Sequence, residues 1–218
     1  MTKNTRTRIL LVAVASLLLV TMAVGGTMAW LQDSSDVVTN TFKGSELAID
    51  MWEHPIEEDG KTLDADGEIT KTVDSYKMVP GVTLQKDPYA VVEKGSEPCY
   101  VFVVVEKSDN FDDFIETVNY NTDDWKLVDG YKNVWAYQTK VEALEQEVAT
   151  SSILDAENAI VVKTDLSTDD LDITANFPTL SFTAYAIQSE YLTDGYTIEN
   201  NAAAIWELTG ITNGVEKN

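Results

Sequence analysis

The chain has 218 residues, 37 of them acidic and 15 basic, for a formal net charge of −22, with one histidine and one cysteine. One histidine cannot build an HExxH zinc site or any multi-histidine metal centre, and one cysteine cannot close an intrachain disulfide. So acidic a chain also lacks the clustered Lys and Arg that neutralise phosphates, which excludes nucleic acid and anionic membrane surfaces as partners.

At the start, Lys3, Arg6 and Arg8 precede a run without charge, residues 9–24, that is apolar apart from Ser16 and Thr21. A bilayer core of about 30 Å asks for about 20 apolar residues in a spanning helix, so this run suits the apolar region of a signal peptide better than a stable anchor. Gly25 and Gly26 break the helix, and small residues at Thr27 and Ala29 place the cut between Ala29 and Trp30. The expectation is a signal peptide over 1–29 and export to the cell surface or beyond, with the membrane engaged only through an uncleaved leader. Without the leader the fifteen basic residues become twelve, all lysine, and the net charge falls from −22 to −25. Such self-repulsion keeps a secreted protein soluble, while calcium or low pH weakens it and promotes association.

Residues 30–43 then form a candidate N-terminal arm. Within it Val37, Val38, Thr39, Asn40, Thr41 and Phe42 alternate like a strand, which either closes its own sheet or pairs with the edge of a neighbouring copy. A strand is predicted over 47–53, an acidic loop or hairpin tip over 57–69, and a further alternating stretch over 69–79 before a turn at Pro80-Gly81. Strand patterns follow on either side of residues 93–98. The second, "CYVFVVVE", is apolar on both faces, as expected of a strand in the middle of a packed sandwich. Cys99 shares a face there with Val101, Val103 and Val105, and reads as a small buried hydrophobe.

Over 109–116, Phe111, Phe114 and Ile115 at i, i+3 and i+4 behind polar capping residues predict a short helix. A hairpin about Asp129-Gly130 comes next. Between 140 and 154 the pattern fits a short helix and an irregular insertion equally. Strand character returns over 159–166 and 179–188, the latter placing Leu180, Phe182, Ala184 and Ala186 on one face. An amphipathic turn or two over 201–208 is expected to cover one end of the sandwich with Ile205 and Trp206, before a polar tail, 211–218. Many short strands, two or three short helices and no βαβ rhythm predict an all-β fold: an antiparallel jelly-roll-like sandwich over 44–210, behind an N-terminal signal helix.

Few residues suggest chemistry. His54, before Pro55 and near the acidic loop, reads as an exposed loop residue. "DADGE", residues 64–68, lacks the late bidentate Glu of a calcium loop and reads as an acidic turn. The pairs Asp112-Asp113, Asp123-Asp124 and Asp169-Asp170 read as solvated surface. No phosphate loop or dinucleotide fingerprint is present, so no catalytic, cofactor or metal site is assigned and no enzyme is expected. The alternative to a structural role is a binding module in which Trp52, Trp125 or Trp135 forms an exposed row holding a surface glycan or a host protein.

The segment "GGTMAWLQD…VVTNTFKGSELAID" resembles the leader and mature start of proteins processed by the SipW-type signal peptidase, the TasA and camelysin (CalY) family of biofilm-matrix proteins. The matching residues are Gly25, Gly26, Thr27, Ala29, Trp30, Asp33, Asn40, Thr41, Phe42, Gly44, Leu47 and Ile49. "VPGVTLQKDPYAVVEKGSEPCYVFVVVE" and "PTLSFTAYAIQ" are similar to later strands of that family, whereas the middle, about 119–172, is not covered. The resemblance implies a jelly-roll sandwich, secretion, and self-association into matrix fibres in which the arm of one subunit completes the next. It carries over no catalytic residues.

Overall fold

A computed structural model describes residues 47–71, 76–167, 177–190, 192 and 196–218, which belong to one compact unit, Gly44–Asn218. The described chain is all-β. Its strands are β1 (Ile49–Trp52), β2 (Thr83–Leu84), β3 (Tyr89–Val92), β4 (Cys99–Lys107), β5 (Ile115–Val118), β6 (Trp125–Leu127), β7 (Val134–Tyr137), β8 (Val148–Ala149), β9 (Ile160–Val162) and β10 (Leu180–Gln188). They form three antiparallel sheets, ordered β10-β4-β7-β6, β1-β3-β8 and β2-β9-β5. Two helices, α1 (Phe111–Phe114) and α2 (Ile198–Leu208), and one 3-10 turn accompany them.

The unbroken apolar run of β4 makes it the centre of the fold, paired with β10 along its whole length and with β7 on its other side. Its odd residues, Cys99 to Val105, enter a core shared with Val92 of β3 and Val162 of β9, so one face of the four-stranded sheet packs on the two smaller sheets. Its even residues, Tyr100, Phe102 and Val104, enter a second core with Ile198, Ile205 and Trp206 of α2. Each such side chain contributes about 1.5–3 kcal/mol by leaving water, which is why the strand tolerates no polar residue before Glu106. The expected two-sided burial is found, but a helix covers the second face. α2 therefore lies on the sheet rather than capping an end: Trp206 sits 5.4 Å from Phe102, 5.5 Å from Tyr185 and 6.4 Å from Tyr131, centroid to centroid.

Several local expectations hold. At Pro80-Gly81 the Val82 N–H donates to the Val79 carbonyl at 3.1 Å, and Gly81 supplies the φ of +73° that such a turn needs. β6 and β7 pair as a hairpin, Trp125 opposite Tyr137, around Gly130 at φ +86°. The acidic loop is closed by bridges between Glu53 and Thr70 and between Ile56 and Leu63.

Others are corrected. α1 is a single turn, because Ile115 leaves it at φ −106°, ψ 126° and the β-branched "IETV" pairs with β9 instead. α2 starts at Ile198, three residues early, and Asn201 interrupts it at φ −135°. The alternation over 69–79 gives no strand among its described residues, where Thr70 forms an isolated bridge to Glu53. The ambiguous insertion is irregular apart from β8. The polar tail is fastened down: Asn133 receives the Glu216 N–H and donates to the Gly214 carbonyl, and Lys217 bridges Tyr131.

Candidate functional site

Hydrogen-bond parity shows which way the backbone of β10 points. Cys99 exchanges both backbone bonds with Val141, and the Val105 N–H donates to Asn133, so the odd residues of β4 point toward β7. The even residues must then bond to β10, and the register pairs Phe102 with Tyr185, Val104 with Thr183 and Glu106 with Ser181. The flanking bonds Ser108 N–H to Thr179 and Ser189 N–H to Pro98 follow the same parity. Leu180, Phe182, Ala184 and Ala186 therefore turn their N–H and C=O groups away from β4, and among the described residues no backbone bond meets them. Their side chains belong to the main core but are only half-buried. β1 approaches this margin without forming a ladder with it. By the same parity Asp50 and Trp52 bond to β3, leaving Ile49 and Met51 facing the other way.

Where β1 and β10 approach, a cleft of about 270 Å³ opens between Met51, Trp52, Pro88, Leu180 and Phe182. Its polar lining is Lys71, Ser181, and the pair Glu53 and Lys86, which are hydrogen-bonded to each other and are 7% and 6% exposed. Tyr76 lies against the Lys86 ammonium, 5.0 Å from ring centroid to nitrogen, and Phe182 lies at 5.7 Å. Burial, reinforced by the Glu53 and Asp87 charges, pushes the Tyr76 hydroxyl far above its ordinary range. At the mouth, Lys71 bonds Asp50 at 2.9 Å and covers Trp52.

His54 is not the exposed loop residue expected. Its Nδ1 lies 2.7 Å from the Asp87 carboxylate, whose other oxygen accepts the His54 backbone N–H. The cause is topological: continuing the β1–β3 register places His54 opposite Asp87, with Glu53 opposite Pro88 and so diagonal to Lys86. No short motif shows such pairing, and a lysine in a polar "QKDP" stretch gives no sign that it will be buried.

The remaining predicted residues fall apart spatially. Trp125 is fully buried and donates its indole N–H to the Ser151 carbonyl, and Trp135 is buried and stacked 4.1 Å from Tyr120. They form no exposed row, and of the three candidate tryptophans only Trp52 is half-exposed. Asp64 forms a local turn, accepting the Asp66 N–H. Asp112 pairs with Lys107 and Asp124 accepts from Asn121, while Asp169-Asp170 lies outside the described residues. Cys99 is buried as expected, and desolvation pushes its thiol up to about 11. Ala29, Trp30 and the arm residues Val37 to Phe42 also lie outside the described residues.

The fold and this margin define an antiparallel all-β domain with an edge strand half-covered on its core side. No family model, curated protein or solved structure matches the chain.

Proposed function

We propose that the chain is a secreted, non-enzymatic structural protein of an extracellular matrix or cell surface, of the TasA and camelysin kind, released by a SipW-type signal peptidase. In this reading the cut between Ala29 and Trp30 frees the arm, and Val37 to Phe42 adds as a strand to a neighbouring copy. The observation that supports it is the outward row on β10, where Phe182, Ala184 and Ala186 present main-chain groups without a partner among the described residues and apolar side chains only half-buried. Such an edge is a template: main-chain bonds give affinity, and alternate side chains seated in the core give register. Six arm residues span about 20 Å as a strand, two thirds of the nine-residue β10. Trp125 and Trp135 are buried, so of the three tryptophans named for a module binding a surface glycan or host protein only Trp52 is half-exposed, which favours the assembly reading.

The test is electron microscopy of mature protein with and without residues 30–42. Deletion should abolish fibres and leave the urea transition of the domain in place, whereas fibres that persist would refute strand addition by the arm.

A further inference from the structure

Among the described residues, Glu53 and Lys86 are the only buried charged residues, and they touch each other. Removing two ions from water costs several kcal/mol for each, and their attraction returns that only with excellent geometry. Apolar groups flank the pair, the ring faces of Tyr76 and Phe182 with Met51 and Pro88 in the cleft wall, while Lys71 and Ser181 complete the lining. The two residues lie 33 apart in sequence on neighbouring chain segments, Glu53 just past β1 and Lys86 just before β3, where the β1–β3 ladder fixes their separation.

We propose that Glu53 and Lys86 are joined covalently, by an amide between the Glu53 carboxyl carbon and Lys86 Nζ that forms once the domain has folded. The ammonium passes a proton to the carboxylate, and the neutral amine adds to the carboxyl carbon. The carbon–oxygen bond then breaks, and the departing hydroxyl takes a second proton from nitrogen to leave as water. No oxidant or cofactor is consumed: a carboxylate and an ammonium become one amide and one water. The product carries no charge, so the desolvation cost of both ions disappears. The Tyr76 hydroxyl, 3.5 Å from Nζ, is placed to relay a proton, and the adjoining cleft gives the water an exit. The bond would tie the segment leaving β1 to the one entering β3 in a chain whose lone cysteine allows no disulfide.

The experiment is peptide mapping by mass spectrometry of the purified, folded full chain, with fragmentation to locate any cross-link. The expected result is a branched peptide containing both Glu53 and Lys86, lighter than its two component peptides by one water. Lys86→Met and Glu53→Ala should each abolish it. Separate, full-mass peptides from folded wild-type protein, with Lys86 open to acetylation once denatured, would overturn the proposal and leave an ordinary ion pair. Because the wild-type map alone decides this, a variant that fails to fold does not affect the outcome.

Discussion

Two adjacent proline substitutions on β10 should have opposite consequences. Thr183 has an exposed side chain, but its N–H points at β4 and is paired with Val104, which is 1% exposed. Thr183→Pro removes that donor and leaves a buried carbonyl without a partner, at about 1–3 kcal/mol, before any crowding by the ring is added. Ala184 is one residue on, and its N–H points away from β4. Proline is tolerated on an edge strand when its missing N–H faces outward, so Ala184→Pro should shift stability by less than about 1 kcal/mol. Urea unfolding followed by tryptophan fluorescence reads both, with an unchanged denaturant slope showing that the same surface is exposed in each. Ala184→Pro should remain folded yet fail to form fibres, because it deletes a donor that an added strand requires. An Ala184→Pro cost equal to that of Thr183→Pro would refute the assigned parity, or show the outward row already paired within its own chain.

Trp206→Ala should cost about 3–5 kcal/mol, since it empties a fully buried site against Phe102 and Tyr185. A loss below about 1 kcal/mol in the same urea assay would mean that α2 does not seal the second face. Stability should fall as pH rises through the alkaline range. The folded state holds the Cys99 proton up to about 11 against an ordinary 9.0, and the Tyr120 proton up to about 12 against 10.0, both through desolvation. In each case the raised value means that the folded state binds the proton where the unfolded state releases it. Their contribution is thus full below pH 9 and is lost between about 9 and 12. Urea titrations across that range test this, and Cys99→Ala should flatten the lower part; stability unchanged up to pH 12 would contradict it. In native protein at pH 8, Cys99 should react with a disulfide reagent far more slowly than in denatured protein, and equal rates would place the thiol at the surface.

Much of this protein was legible residue by residue. The apolar run of β4 announced burial on both sides, because only a strand covered on both faces can omit the polar alternate positions. Pro80-Gly81 and Asp129-Gly130 marked turns whose positive φ glycine supplies without strain, and the period-two pattern of Leu180 to Ala186 fixed which face meets the core. These are local properties, set by sterics and by each side chain's preference for water or oil. What covers a face, which strand is left at a margin, and which charges meet depend on partners far away in sequence. Only the tertiary fold could place α2 on the sheet, end α1 after one turn in favour of pairing with β9, or leave β10 at the edge of its sheet. It alone seats Lys86 against Glu53, because the energy of a buried charge is decided by a neighbour 33 residues distant that no local pattern encodes.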